Sequence, residues 1–313
     1  MNKPPLIIIL GPTAVGKTAL SITLAQRLGG EIVSADSRLL YQGMNIGTAK
    51  PTVAEMKGIP HYLIDVAKPD EVWSLGVYQR EAYRVIDQIH LHGHLPFLVG
   101  GTGQYIRSII EGWRIPPQRP DYALRDAVTH WAEIIGPEGL HRRLESIDPA
   151  AASKIDYRNL RRTVRALEVI FKTGERFSDL RQKQSPRYSP LILGIERPRE
   201  ILYQRVDQRI DAMIEAGLIQ EVQGLLDAGY APELPTMSAI GYGEVIRYLR
   251  GEISLDEAIT LIQRNTRVFV RRQANWFKPD DPRIRWFRIS AGEDNAVVVN
   301  AMEAYIRSQL NDL

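Results

Sequence analysis

Leu6-Ile-Ile-Ile-Leu10, running without a break into Gly11-Pro-Thr-Ala-Val-Gly-Lys-Thr18, decides the fold of this chain. The first five residues are a continuous apolar run of β-branched character, as a strand buried on both faces of a parallel sheet requires. The next eight fit the spacing G-x-x-x-x-G-K-[ST], and a helix is expected from about Lys17 to Leu28, stopped by Gly29-Gly30. Strand, glycine-rich loop and helix in that order form an anion cradle. Gly11, Pro12, Thr13, Ala14, Val15 and Gly16 wrap a phosphate with their backbone. Lys17 adds a point charge, and the Thr18 hydroxyl suits a Mg²⁺ ligand. The cargo is therefore a phosphorylated small molecule.

Outward from the loop, strand and helix alternate. Glu31 to Ser34 reads as a second strand that ends at Ala35-Asp36-Ser37. Ser74 resembles the cap of a helix over Leu75 to His92, and Leu95 to Val99 is a further buried strand ending in Gly100-Gly101. Glycines at the carboxyl ends of strands imply an α/β sheet with its site along that edge. The pattern then changes. Ile115-Pro-Pro117 and Pro120 break the chain, and helical periodicity covers Tyr122 to Ile135 and Leu160 to Lys172, with no convincing strand between Pro116 and Tyr188. Leu191 to Ile195 resumes strand character, a long helix follows with Ile201, Val206, Ile210, Met213 and Ile214 on one face, and Arg283 to Ile289 alternates as a late strand. The expected organisation is a P-loop NTPase-like α/β core with a parallel sheet, residues 1–114 and 189–313, interrupted by a mostly helical insertion domain, residues 115–188.

Composition narrows the class. With 313 residues, 44% hydrophobic and 25% charged, the chain buries an ample core without staples. It holds no apolar stretch of membrane-spanning length and no signal-peptide pattern, so no membrane partner is expected and cytoplasm is the expected compartment. The absence of cysteine removes disulfides, thiolate nucleophiles and cysteine-ligated zinc. Net charge is only +3, but between Arg158 and Arg209 there are 13 Arg or Lys against 6 Asp or Glu, and between Arg264 and Arg288 the balance is 8 against 2. Such Arg-rich blocks fit an anionic polymer better than a merely solvated surface.

The loop by itself names no reaction. Most such loops hold ATP or GTP, which makes a small-molecule kinase one reading and an RNA-binding protein with an idle loop another. Against the kinase, Leu95 to Val99 ends in Gly100-Gly101-Thr102 where a Walker B aspartate would stand, and Tyr62-Leu-Ile-Asp65 is a short substitute. Asp36 follows the second strand directly, where a carboxylate can take a proton from an incoming nucleophile or simply make an Asx turn. Thr102, between glycines, can bond a ligand or cap the next helix. His90, His92 and His94 alternate without an intervening carboxylate and read as a solvated helix end rather than a metal site. His61 reads as a buried imidazole.

Eight segments then resemble one family in family order: GPTAVGKT at 11–18, SADS at 34–37, YQGMNIGTAKP at 41–51, HYLID at 61–65, GGTGQY at 100–105, RALEV at 165–169, AIGYGE at 239–244 and TRVFVRRQANWF at 266–277. The family is tRNA dimethylallyltransferase, and the lack of cysteine resembles its compact bacterial type. The resemblance implies transfer of a dimethylallyl group from dimethylallyl diphosphate to the exocyclic amine of the adenosine just 3′ of the anticodon, in tRNAs that read codons starting with U. Pyrophosphate departs. It implies that the loop, with Lys17, holds the diphosphate, that Thr18 holds Mg²⁺, and that Asp36 is the general base, oriented with help from Thr102. Such chemistry needs no Walker B aspartate. Arg205 and Arg209, one helical turn apart, are candidates for a cationic clamp on the diphosphate. Contacts to the tRNA anticodon stem-loop are implied for Asp36, Ser37, Arg38 and Leu39, for Thr102 and Arg125, for Arg161, Arg162, Thr163, Val164 and Arg165, and for Arg267, Arg271, Arg272 and Gln273. The target base is expected to flip out of the loop to expose its reactive edge. A monomer is expected. Arg38-Leu39-Leu40, Gln104 and Asn275 depart from the commoner family residues, all on the implied tRNA surface.

Overall fold

Six strands form one parallel sheet in the order β3-β2-β4-β1-β5-β6. They are β1 (Pro5–Leu10), β2 (Gly30–Ser34), β3 (His61–Tyr62), β4 (Leu95–Gly100), β5 (Ser189–Glu196) and β6 (Ile284–Arg288). The computed structural model describes residues 3–115, 121–179, 185–290, 292 and 294–311, so the proline-rich break at 116–120 lies outside the described residues. Strand β1 is central, between β4 and β5, and Leu6 to Leu10 are all fully buried. That placement is why its sequence carries no polar alternation. The fold is α/β and P-loop NTPase-like. Among the described residues, no helix is long and apolar enough to cross a membrane.

The helices are α1 (Lys17–Leu28), α2 (Val53–Met56), α3 (Leu75–Leu91), α4 (Gly103–Ile110), α5 (Tyr122–Ile147), α6 (Pro149–Ala152), α7 (Leu160–Thr173), α8 (Arg199–Glu215), α9 (Leu218–Asp227), α10 (Tyr242–Leu249), α11 (Leu255–Ala274) and α12 (Asn295–Asn311). Gly29 ends α1 in the left-handed conformation, and the Ser74 hydroxyl accepts the Val77 amide at the start of α3. On α8 the buried stripe is Leu202, Val206 and Ile210, with Ile201, Met213 and Ile214 only half-buried beside it. Helix α12 docks on α1 through Arg27, which pairs with Glu303 at 3.0 Å and donates to Asn300 at 2.7 Å.

The chain divides into two compact units. One comprises Met1–Trp73, Tyr78–Ile106 and Arg187–Leu313 and holds the sheet; the other comprises Ser74–Val77 and Arg107–Pro186. The second is helical around a core of its own, with Val128, Ala132, Leu140 and Leu144 of α5 facing Val164, Leu167 and Ile170 of α7. Helical periodicity stops at Ile135 in the sequence because Gly136 (φ 77°) and Pro137 kink α5 there, after which the helix resumes to Ile147. The helix ends at Asp148, whose buried carboxylate caps α6 through the Ala151 amide and accepts the Ser178 amide at 2.8 Å.

Candidate active site

The loop between β1 and α1 is held from four sides. The Lys17 ammonium donates to the carbonyls of Gly11 (3.0 Å) and Pro12 (2.9 Å). Arg205 donates to the Ala14 carbonyl at 2.8 Å, and Arg197 to that of Val15 at 2.9 Å. From α11, Gln273 accepts the Thr13 amide at 2.8 Å. These bonds fix a backbone with positive φ at Ala14 (65°), a conformation that costs a residue bearing a Cβ about 1–2 kcal/mol. Burial holds the Lys17 ammonium down at about 8, with nearby Asp36 opposing the shift and Arg209 adding to it. A bound anion would favour the charged form and raise that value again.

Asp36 and Thr102 leave neighbouring strand ends and meet. The Ala35 carbonyl accepts the Thr102 amide at 3.1 Å, and the Thr102 hydroxyl accepts the Ser37 amide at 3.1 Å. That hydroxyl therefore locks the Asp36 turn; α4 begins with the Thr102 carbonyl, which accepts the Ile106 amide at 3.2 Å. Asp36 Oδ1 accepts the Arg38 amide at 2.9 Å, an Asx turn that aims the carboxylate without consuming its second oxygen. The GGTG segment is glycine-rich because α11 ends on top of it. A Cβ at Gly101 would lie 2.4 Å from Gln273 Nε2, and one at Gly103 would lie 2.2 Å from the Trp276 ring.

A cavity of about 550 Å³ opens over the carboxyl edge of the sheet, and Lys17, Thr18, Asp36, Lys50, Arg205 and Arg209 all line it. The two arginines divide their work. Arg205 is bonded to the loop, whereas Arg209 makes no hydrogen bond or ion pair among the described residues; burial, and then the charge of Arg205, lower its pKa. Arg209 is thus the one of the pair that lines the cavity without a bond of its own among the described residues. The Thr18 side chain is exposed and unbonded among the described residues, as a hydroxyl that ligates a cation must be.

Carboxylates outside the cavity shape its rim. Glu221 on α9 accepts the amides of Asn45 (2.9 Å), Ile46 (2.7 Å) and Gly47 (3.1 Å) and the Tyr242 hydroxyl (2.5 Å). Lys50 pairs with Asp65 and donates to the Tyr41 carbonyl at 2.7 Å. The segments YQGMNIGTAKP, HYLID and AIGYGE are thereby parts of one bonded loop. Arg197, Lys50 and Glu221 went unnamed as site residues from the sequence. The signals were there for Arg197, which leaves β5 beside β1, and for Lys50, inside a quoted motif.

The residues implied to touch tRNA separate into exposed and internal ones. Ser37, Arg38 and Leu39 are half-exposed on the Asp36 turn, and Arg271 and Arg272 are exposed on α11. Arg267 is held by Asp207 of α8, and Gln273 is buried. In the helical unit Arg161 is exposed and Arg162 half-exposed, while Arg125 and Arg165 pair with the buried Glu168. Thr163 and Val164 point inward, at 0% and 5% exposure, because they fall on the apolar stripe of α7. Their side chains, like that of Gln273, are internal to the fold. Of the histidines, His61 shares the cavity wall and binds the Ile59 carbonyl at 2.8 Å, and His94 bonds Glu31.

A model of the IPP transferase family matches residues 39–280. The chain belongs to the IPP transferase family. It is 51% identical over 274 residues to a tRNA dimethylallyltransferase of Roseiflexus sp. (strain RS-1), covering 88% of this chain and 90% of that one. Among solved structures, the full-length tRNA isopentenylpyrophosphate transferase of Bacillus halodurans is 39% identical with a TM-score of 0.74, over 99% of this chain and 98% of that one. A eukaryotic dimethylallyltransferase described as acting on tRNA is 29% identical with a TM-score of 0.76, over 91% of this chain and 74% of that one. The family model begins at Leu39, so Asp36 and the phosphate loop lie before the matched residues. For this IPP transferase, the loop and its braces are instead supported by the local geometry described above.

Proposed function

We propose that this IPP transferase moves a dimethylallyl group from dimethylallyl diphosphate to the exocyclic amine of the tRNA adenosine 3′-adjacent to the anticodon, in tRNAs reading codons that start with U. The observation that carries the reading is the convergence of Lys17, Arg209 and Asp36 on one cavity. Cations for a leaving diphosphate and a carboxylate for an amine proton are what allylic displacement needs. The bond from the amine nitrogen to the allylic carbon forms as the carbon–oxygen bond to diphosphate breaks. The amine proton passes to Asp36, and the electron pair leaves on pyrophosphate beside Lys17 and Arg209. The loop amides orient the diphosphate, and the Ser37–Thr102 bond holds the Asp36 turn in register.

The unbonded Thr18 hydroxyl and the phosphate cradle suit Mg²⁺, which Thr18 would hold beside the diphosphate. When bound, Mg²⁺ would neutralise leaving-group charge. The exposed Arg161, Arg271 and Arg272 and the half-exposed Arg162 are cations available for the RNA backbone. The test is incubation with dimethylallyl diphosphate, Mg²⁺ and an unmodified tRNA that reads a U-starting codon, followed by nucleoside mass spectrometry. The expected product is one prenylated adenosine and one pyrophosphate per turnover; an unmodified nucleoside profile with active-concentration enzyme sinks the reading.

A further inference from the structure

In the helical unit one buried carboxylate organises two cations. Glu168, on α7, is 0% exposed, and its Oε1 accepts the Asp121 amide at the start of α5 at 2.8 Å. Its Oε2 accepts two bonds, from Arg125 Nε at 2.6 Å and from Arg165 at 2.7 Å. Both guanidinium groups therefore stand around a single oxygen atom. Each spends one donor there, out of five. The side chains of Arg125 and Arg165 keep 30% and 32% of their surface exposed, so both reach the surface of the unit while bonded to Glu168.

A lone salt bridge would have neutralised Glu168 with one arginine. Two leave the triad with a surplus positive charge at the surface, beside Arg161 and Arg162, which have no partner among the described residues. Like charges drawn to one point repel, and an anion between their free donors relieves that repulsion. A phosphodiester has the size and the paired oxygens for such a fork. Arg125 also lies over the Tyr122 ring, 5.7 Å from its centroid, which further restricts its head.

We propose that Glu168 is a positioning residue that presets Arg125 and Arg165 as a fork for one RNA backbone phosphate. Ordering the two long side chains before encounter removes an entropic cost from binding. This inference rests on the tRNA-modifying reading above and adds the residue that acts through the two arginines.

The experiment compares Glu168→Gln with the wild-type chain, first confirming that the wild type prenylates tRNA. Glutamine keeps an acceptor for the Asp121 amide and removes the charge that gathers the arginines. The expected result is an RNA Kd raised about tenfold, with kcat at saturating RNA and KM for dimethylallyl diphosphate unchanged. In an Arg125→Ala, Arg165→Ala background the same substitution should add less than twofold. Glu168→Asp should recover part of the loss. Unchanged RNA affinity in Glu168→Gln overturns the proposal. So does an equal loss in both backgrounds, or a fall in melting temperature with proportional loss of every kinetic constant, since those mark a role in folding alone. If the wild type makes no product, the functional reading itself falls.

Discussion

The side chain of Gln273 accepts the amide of Thr13 at 2.8 Å, joining the end of α11 to the phosphate loop across 260 positions of sequence. Its Nε2 donates to the Gly101 carbonyl at 3.2 Å, so one buried amide ties the loop to the exit of β4. The cradle is therefore completed by a helix whose exposed neighbours, Arg271 and Arg272, face solvent.

Gln273→Ala leaves the Thr13 amide and the Gly101 carbonyl without this partner, at about 1–3 kcal/mol of stability. The expected kinetic result is a rise in KM for the allylic diphosphate with a lower kcat. Arg271→Ala, next to it but exposed, should instead weaken RNA binding and reduce the salt slope by about one, with donor KM unchanged. Initial-rate kinetics on both variants at two salt concentrations make the comparison.

Lys17 gives a pH signature. Because its pKa is held at about 8, raising pH through that value discharges the ammonium in the free enzyme. The expected profile of kcat/KM for the donor falls above about pH 8, whereas kcat at saturating donor persists to higher pH because the bound anion favours the charged form. The stability sign follows. Between about 8 and the ordinary 10.5 the unfolded chain binds more protons than the folded one, so this group's contribution to stability rises with pH in that window. Lys17→Met should remove both effects in rate profiles and in melting curves.

Asp36→Asn keeps an oxygen for the Arg38 amide and so preserves the turn. Loss of the proton acceptor alone should lower kcat by about 100- to 10,000-fold with RNA affinity within about threefold of wild type. Filter binding and single-turnover rates on one preparation separate the two. A variant retaining near-wild-type turnover removes Asp36 from the role of base.

Arg205 and Arg209 should respond differently to truncation. Arg209→Ala is expected to raise donor KM at least tenfold with little change in melting temperature, since the side chain holds nothing in the fold. Arg205→Ala also releases the Ala14 carbonyl and should lower the melting temperature by a few degrees. Thermal melts with and without inorganic pyrophosphate report both quantities.

Local signals in the sequence were read well. Lys17–Leu28 is found with the expected bounds, and the strands at Glu31, Leu95, Leu191 and Arg283 lie within a few residues of their apolar runs. Such features depend on neighbours in the chain. What escaped depends on partners far along it. Gln273 sits in an Arg-rich run and looks like a surface residue until its bond to Thr13 is seen. Glu221 carries no motif of its own, and its role is set by three amides of another segment. Thr163 and Val164 stand among arginines in the sequence, and α7 buries them while Arg161 stays exposed.

The central position of β1 has a bearing on how the protein is made. The strand lies between Leu95–Gly100 and Ser189–Glu196, with Ile8 in register with Ile192. The bonds that steady the loop come from Arg197, Arg205 and Gln273, and α1 is covered by α12, the last helix described. During synthesis the phosphate-loop sequence is made before Arg197, Arg205 and Gln273, and it acquires these braces only after they follow. Long-range parallel pairing of this kind folds slowly and leaves an apolar strand uncovered meanwhile. A ribosome-bound chain displaying all of Gly11 to Thr18 thus has the motif without the cradle until Gln273, 260 positions beyond Thr13, has also been made.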